Sequence, residues 1–124
     1  MNCKCAFIVY KSAMGDTELD DFITKIGIEP GETEERLFYG LSKTKVTEDF
    51  QLSIFVYESL SFIIHKAKLL KDLKDMYHTF YELQIKFSYD EDESYYFSDF
   101  NLSDEILNFI IITDTYYNLD TGIK

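Results

Sequence analysis

The stretch that most constrains this chain is Phe80–Tyr89, which reads Phe-Tyr-Glu-Leu-Gln-Ile-Lys-Phe-Ser-Tyr. Tyr81, Leu83, Ile85, Phe87 and Tyr89 alternate with Glu82, Gln84, Lys86 and Ser88. Successive side chains of a strand point to opposite faces, so the apolar set lines one face and the polar set the other. A sheet with one wet face is typically antiparallel and carries its helices on the dry face. The other segments are then pieces that extend or cover this strand.

Cys3–Tyr10 is almost wholly apolar, which suits a central strand covered on both faces. Leu19, Phe22, Ile23 and Ile26 fall at i, i+3, i+4 and i+7, the stripe of a helix docked on a sheet. Asp16 or Thr17 is the expected N-cap of that helix, Gly27 suits its left-handed end, and Pro30 stops it. Glu29–Glu35 is an acidic turn, Arg36–Leu41 a short strand and Ser42–Asp49 a polar loop. Gln51–Glu58 is rich in β-branched and aromatic residues, and predicts a strand.

A helix is expected over Leu60–Tyr77, with Phe62, Ile63, Leu69, Leu70, Leu73, Met76 and Tyr77 as its apolar stripe. Lys66, Lys68, Lys71 and Lys74 lie off the stripe, as on an ordinary solvated helix face. After Phe80–Tyr89, the run Asp90-Glu91-Asp92-Glu93 reads as a hairpin tip leading to a strand at Tyr95–Phe100. Ser103 caps a helix with Asp104 and Glu105 in its first turn, and Ile106, Phe109 and Ile110 face inward. Tyr116–Asp120 is a last strand. These elements predict one α+β domain spanning residues 1–124: a mainly antiparallel sheet of five or six strands covered by helices, in the order β-α-β-β-α-β-β-α-β.

Charge bears on partners. Against 12 Lys+Arg stand 23 Asp+Glu, a net charge of −11. Such a surface repels nucleic acid and anionic membranes, and attracts a basic protein or a cation, when it does more than keep the chain soluble. No run is long enough to span a bilayer, and the start lacks the layout of a signal peptide, so a cytoplasmic location is expected.

Residues that carry chemistry are sparse. Cys3, Cys5, His65 and His78 are the only soft ligands, and they lack the paired spacings of a zinc site. Buried reduced thiols and surface imidazoles are the simpler reading, and no cofactor is expected. The Asp20-Asp21 and Asp104-Glu105 pairs sit where helix N-termini favour negative charge, which accounts for them without acid–base catalysis. Strand alternation leaves one of Tyr95/Tyr96 outward beside the acidic run. Exposed Tyr among carboxylates is a composition typical of protein-binding surfaces. The candidate partner site is therefore Asp90, Glu91, Asp92, Glu93, Tyr95 and Tyr96, with Glu29–Glu35 as an alternative acidic cluster.

Two stretches resemble the family catalogued as domain of unknown function 4279. Ile23-Thr24-Lys25-Ile26-Gly27-Ile28-Glu29-Pro30 resembles its Ile-Thr-x-x-Leu-Gly-Ile-x-Pro segment. Tyr81–Phe87, Leu102-Ser103-Asp104-Glu105, Phe109 and Leu119-Asp120 are similar to its strand, helix and terminal strand. The usual Trp after the Pro segment is missing, and Asp114-Thr115 stand where Gly-Ala is common, as in a divergent member. The resemblance implies a small bacterial α+β domain without established activity, of a kind associated with immunity proteins encoded beside secreted toxins. On that basis the expected function is non-enzymatic: neutralisation of a basic toxin domain by direct binding, as a monomer or weak homodimer. The alternative is a cytoplasmic small-ligand-binding or regulatory domain that oligomerises.

Overall fold

Phe80–Tyr89 forms one strand over its whole length, and Tyr81, Leu83, Ile85 and Phe87 are completely buried on one face of it. The computed structural model describes residues 2–46, 49–89 and 102–123. In chain order these form β1 (Asn2–Tyr10), α1 (Asp16–Ile26), β2 (Gly31–Glu32), β3 (Arg36–Lys45), α2 (Asp49–Leu60), a 3₁₀ turn (Ile64–Lys66), α3 (Ala67–Tyr77), β4 (Phe80–Tyr89), α4 (Asp104–Thr113) and β5 (Tyr116–Ile123). No helix of the described residues is long and apolar enough to cross a membrane.

The strands make one sheet in the order β2-β3-β1-β4-β5. β1 lies in its centre, as its apolar run predicts. β1–β3, β1–β4 and β2–β3 pair antiparallel and β4–β5 pair parallel, so the sheet is mixed, with three of its four pairings antiparallel. The physical reason for the parallel pair is the helix between β4 and β5: α4 carries the chain back along the sheet, and a strand entered after such a crossover runs parallel to the one before it.

All four helices of the described residues dock on the same face. Phe22 and Ile26 of α1, Leu52, Val56 and Leu60 of α2, Leu70 and Leu73 of α3, and Ile106 and Phe109 of α4 share one cluster with Cys5, Phe7 and Val9 of β1 and the inward residues of β3 and β4. Phe7 packs edge-on against Phe109, with ring centroids 5.5 Å apart, and tilted against Tyr81 at 5.4 Å. Each such side chain contributes about 1.5–3 kcal/mol by leaving water. With Trp absent, Phe and Tyr fill this layer.

Three local expectations are corrected. Residues 51–58 are helical, not a strand: Leu52, Val56 and Leu60 are fully buried at i, i+4 and i+8, while Ile54 is 50% exposed. Strand alternation would have put Leu52, Ile54 and Val56 together. β-branched content is a preference for a half-buried surface, and here helix packing against β1 and β3 overrides it. The expected Leu60–Tyr77 helix is accordingly divided: α2 ends at Leu60, the 3₁₀ turn intervenes, α3 begins at Ala67, and Phe62 and Met76 are exposed. The N-cap of α1 is Gly15, whose N–H donates to the Glu18 carboxylate at 3.3 Å, rather than Asp16 or Thr17. Ser103 caps α4 as expected, its hydroxyl accepting from the Ile106 N–H at 3.4 Å. The predicted strand at Tyr95–Phe100 lies outside the described residues.

β3 runs four residues beyond its expected end, through most of the predicted loop, because of a bulge. Cys5 pairs with Ser42 and Phe7 with Tyr39, so Gly40 and Leu41 together oppose Ala6. Gly40 has φ 66°, the left-handed first position of a glycine bulge. A Cβ there would also lie 2.5 Å from the Ser59 carbonyl oxygen and 2.9 Å from the Phe62 ring. Glycine thus meets two demands at once, backbone conformation and the close approach of α2. The extra residue also inverts the facing of β3: Leu37 and Tyr39 point into the core before it, and Lys43 and Lys45 point away from the core after it.

Candidate functional site

Because the helices occupy one face, the other face of the sheet is covered by no described element. β1 contributes Lys4, Ala6, Ile8 and Tyr10 to it, β3 contributes Arg36, Phe38, Lys43 and Lys45, and β4 contributes the even-numbered residues from Phe80 to Ser88. Tyr116, Asn118 and Asp120 of β5 continue these rows. Ile8, paired with Phe38 and Glu82, is fully buried here, with no described helix on this side of the sheet.

The two ends of this face differ. At one end the Tyr10 ring packs against Phe80, centroids 5.6 Å apart, under the Arg36 guanidinium at 5.2 Å. The Tyr10 hydroxyl donates to Glu82 at 2.9 Å. Partial burial pushes the Tyr10 phenol above its ordinary range, and the Glu82 carboxylate adds to the effect. Phe80 and Tyr116 remain 51% and 57% exposed, so this end carries aromatic surface open to solvent. At the other end lie Lys4, Lys43, Lys45 and Lys86, all exposed.

Beside the aromatic end a groove of about 670 Å³ opens between the β1–α1 connection and the acidic turn. Tyr10, Met14 and Leu19 give it apolar surface, and Asp16, Glu32, Glu34 and Glu35 give it carboxylates. Lys11 crosses it, bonded to the Glu32 carboxylate at 2.5 Å and to the Thr33 carbonyl at 2.9 Å. Asp16, Glu34 and Glu35 make no ion pair among the described residues. The alternative acidic cluster is therefore an exposed turn of which Glu32, Glu34 and Glu35 also line a concave, partly apolar groove.

Asp90, Glu91, Asp92, Glu93, Tyr95 and Tyr96 lie outside the described residues. Of the other candidates, Cys3 and Cys5 are buried in the core, and burial pushes both thiols up to about 12, which keeps them protonated and unreactive at neutral pH. His65 and His78 are both exposed, in the 3₁₀ turn and at the left-handed end of α3. Among the described residues no group of three or more His, Cys, Asp or Glu is placed to hold a metal ion.

The lysine face of α3 is not uniformly solvated. Lys74 is drawn inward, where its ammonium donates to the Asp114 carbonyl at 2.6 Å and sits 5.5 Å from the Tyr81 ring. It thereby neutralises the negative end of α4. The Asp21 carboxyl of α1 is held below its ordinary value because Lys25 bonds to it at 2.8 Å and the Tyr77 hydroxyl of α3 also donates to it. Both sites tie helices together and need no catalytic explanation.

Sequence reasoning missed the Tyr10–Arg36–Phe80 end and the lysine end of the open face. Lys4 and Lys86 stand out of phase with apolar neighbours, which marks them as outward. Nothing local places Lys43 beside them, because its facing depends on the bulge at Gly40. No family model matches the chain, and comparison with curated proteins and with solved structures finds no match to it.

Proposed function

We propose that this chain is a non-enzymatic protein-binding domain, an immunity protein that neutralises a basic secreted toxin in the cytoplasm by covering it. The observation that carries the reading is the acidic groove beside Tyr10: three carboxylates without ion pairs among the described residues surround apolar surface from Tyr10, Met14 and Leu19. Lys and Arg side chains of a basic partner suit such a groove, their stems lying on the apolar floor and their charges at the rim. The net charge of −11 draws the same partner from a distance. The resemblance of the Ile23–Pro30 segment to a family associated with toxin immunity points the same way, as analogy.

The partner to test is the product of the adjacent gene, by stopped-flow mixing. Neutralising Asp16, Glu34 and Glu35 together should slow association about tenfold at low salt, and the loss should shrink as salt screens the charges. Neutralising Asp90, Glu91, Asp92 and Glu93 in a second variant tests whether that run shares the interface. An unchanged association rate in the first variant removes the groove from the interface, and no binding by the wild type refutes the reading.

A further inference from the structure

The pairing registers bring three lysines side by side on the face that no described element covers. Lys43 of β3 lies opposite Lys4 of β1, and Lys4 lies opposite Lys86 of β4. None of the three makes an ion pair among the described residues, although the chain carries 23 carboxylates. Asp120, next in the row beyond Lys86, closes it on the β5 side. Like charges directly opposite one another destabilise a sheet, so this row is held against its own repulsion.

The arrangement is also not a by-product of simple alternation. Continued without the bulge, β3 would turn Lys43 and Lys45 toward the core; the left-handed Gly40 sends them to the open face. In the adjoining row Asn2 lies opposite Lys45 and Ser88, which adds neutral donors. Asn2, Lys4, Lys43, Lys86 and Ser88 line an open depression of about 480 Å³.

We infer that this depression binds a linked-phosphate anion. Neighbouring strands are about 4.8 Å apart, so the outer two lysines of the row stand about 10 Å apart at the backbone. A single phosphate engages one or two such ammoniums, whereas a chain of linked phosphates reaches all three and relieves their mutual repulsion. Among the described residues the exposed aromatic rings of this face, Phe80 and Tyr116, belong to the opposite end of the sheet, so the phosphate chain itself is the recognised group. The ligand class is a tripolyphosphate, whether inorganic or carried by a nucleotide. This inference does not depend on the toxin-binding reading, which uses the other end of the molecule.

Isothermal calorimetry on the full chain, with sodium tripolyphosphate, ATP and orthophosphate at low salt, tests it. Tripolyphosphate should bind one to one and orthophosphate about tenfold more weakly. Equal affinity for ATP identifies the phosphate chain as the whole determinant, and tighter ATP binding assigns the nucleotide as the source. Lys4→Gln and Lys86→Gln should each weaken tripolyphosphate about fivefold while leaving the melting temperature of the free protein unchanged or higher, since each relieves repulsion. Lys71→Gln, on the exposed face of α3, changes net charge equally and should leave affinity unaltered. The inference is overturned if tripolyphosphate does not bind the wild type or if Lys71→Gln weakens it as much as Lys4→Gln. A single-stranded oligonucleotide that competes phosphate for phosphate would likewise overturn it.

Discussion

Tyr39 and Tyr81 offer a matched pair whose hydroxyls should act on stability with opposite signs. Both are essentially fully buried in the same core, at 1% and 0% exposure. The Tyr81 hydroxyl donates to the Leu70 carbonyl at 2.6 Å, tying β4 to α3. The Tyr39 hydroxyl is buried with no hydrogen-bond partner among the described residues. Burial pushes both phenols far above their ordinary range. Tyr81→Phe removes a made hydrogen bond, and should cost about 0.5–1.5 kcal/mol. Tyr39→Phe removes a polar atom whose desolvation nothing offsets, and should stabilise by about 1–2 kcal/mol. The two variants should therefore differ by about 1.5–3.5 kcal/mol, which for a chain of this size is about 6–14 °C in Tm. Urea and thermal melts of the three proteins, analysed with a common m-value, measure it. If Tyr39→Phe destabilises as much as Tyr81→Phe, the hydroxyl has a partner and the reasoning fails.

Two further predictions concern register and the thiols. Ile85→Ala should cost about 2–5 kcal/mol and Gln84→Ala under about 1, and equal effects in urea melts would contradict the facing of β4. The native thiols should ignore Ellman's reagent at pH 8 and react once guanidinium unfolds the chain; rapid native labelling would contradict their burial. The pH dependence has a definite sign. The folded thiols titrate near 12, above the unfolded value of about 8.5. The native state therefore holds protons that the unfolded state releases, and the thiols' contribution to stability is complete below about pH 8.5 and declines as pH rises toward 12. Cys3→Ala/Cys5→Ala should flatten that decline in melts taken across the alkaline range.

Much of the architecture was legible wherever a local pattern coincided with one stable environment. Phe80–Tyr89 alternates without interruption, and no helical arrangement buries Tyr81, Leu83, Ile85 and Phe87 together, so strand, bounds and dry face all followed. The stripe of Leu19, Phe22, Ile23 and Ile26, the left-handed Gly27 and the Ser103 cap were legible for the same reason: each is settled within a turn or two of chain. Residues 51–58 were not, because Leu52, Ile54 and Val56 satisfy strand alternation as well as Leu52, Val56 and Leu60 satisfy a helix. The choice depends on which side chains β1 and β3 can cover.

The open face belongs wholly to the tertiary structure. Its parallel edge arises from the α4 crossover, and its aromatic end from the adjacency of Tyr10, Arg36 and Phe80, residues far apart in the chain. Its lysine row needs three strands in one register and a bulge of one residue. A sequence states which residues alternate; only pairing between distant strands decides which of them become neighbours, because register is set by the combined burial of both partners.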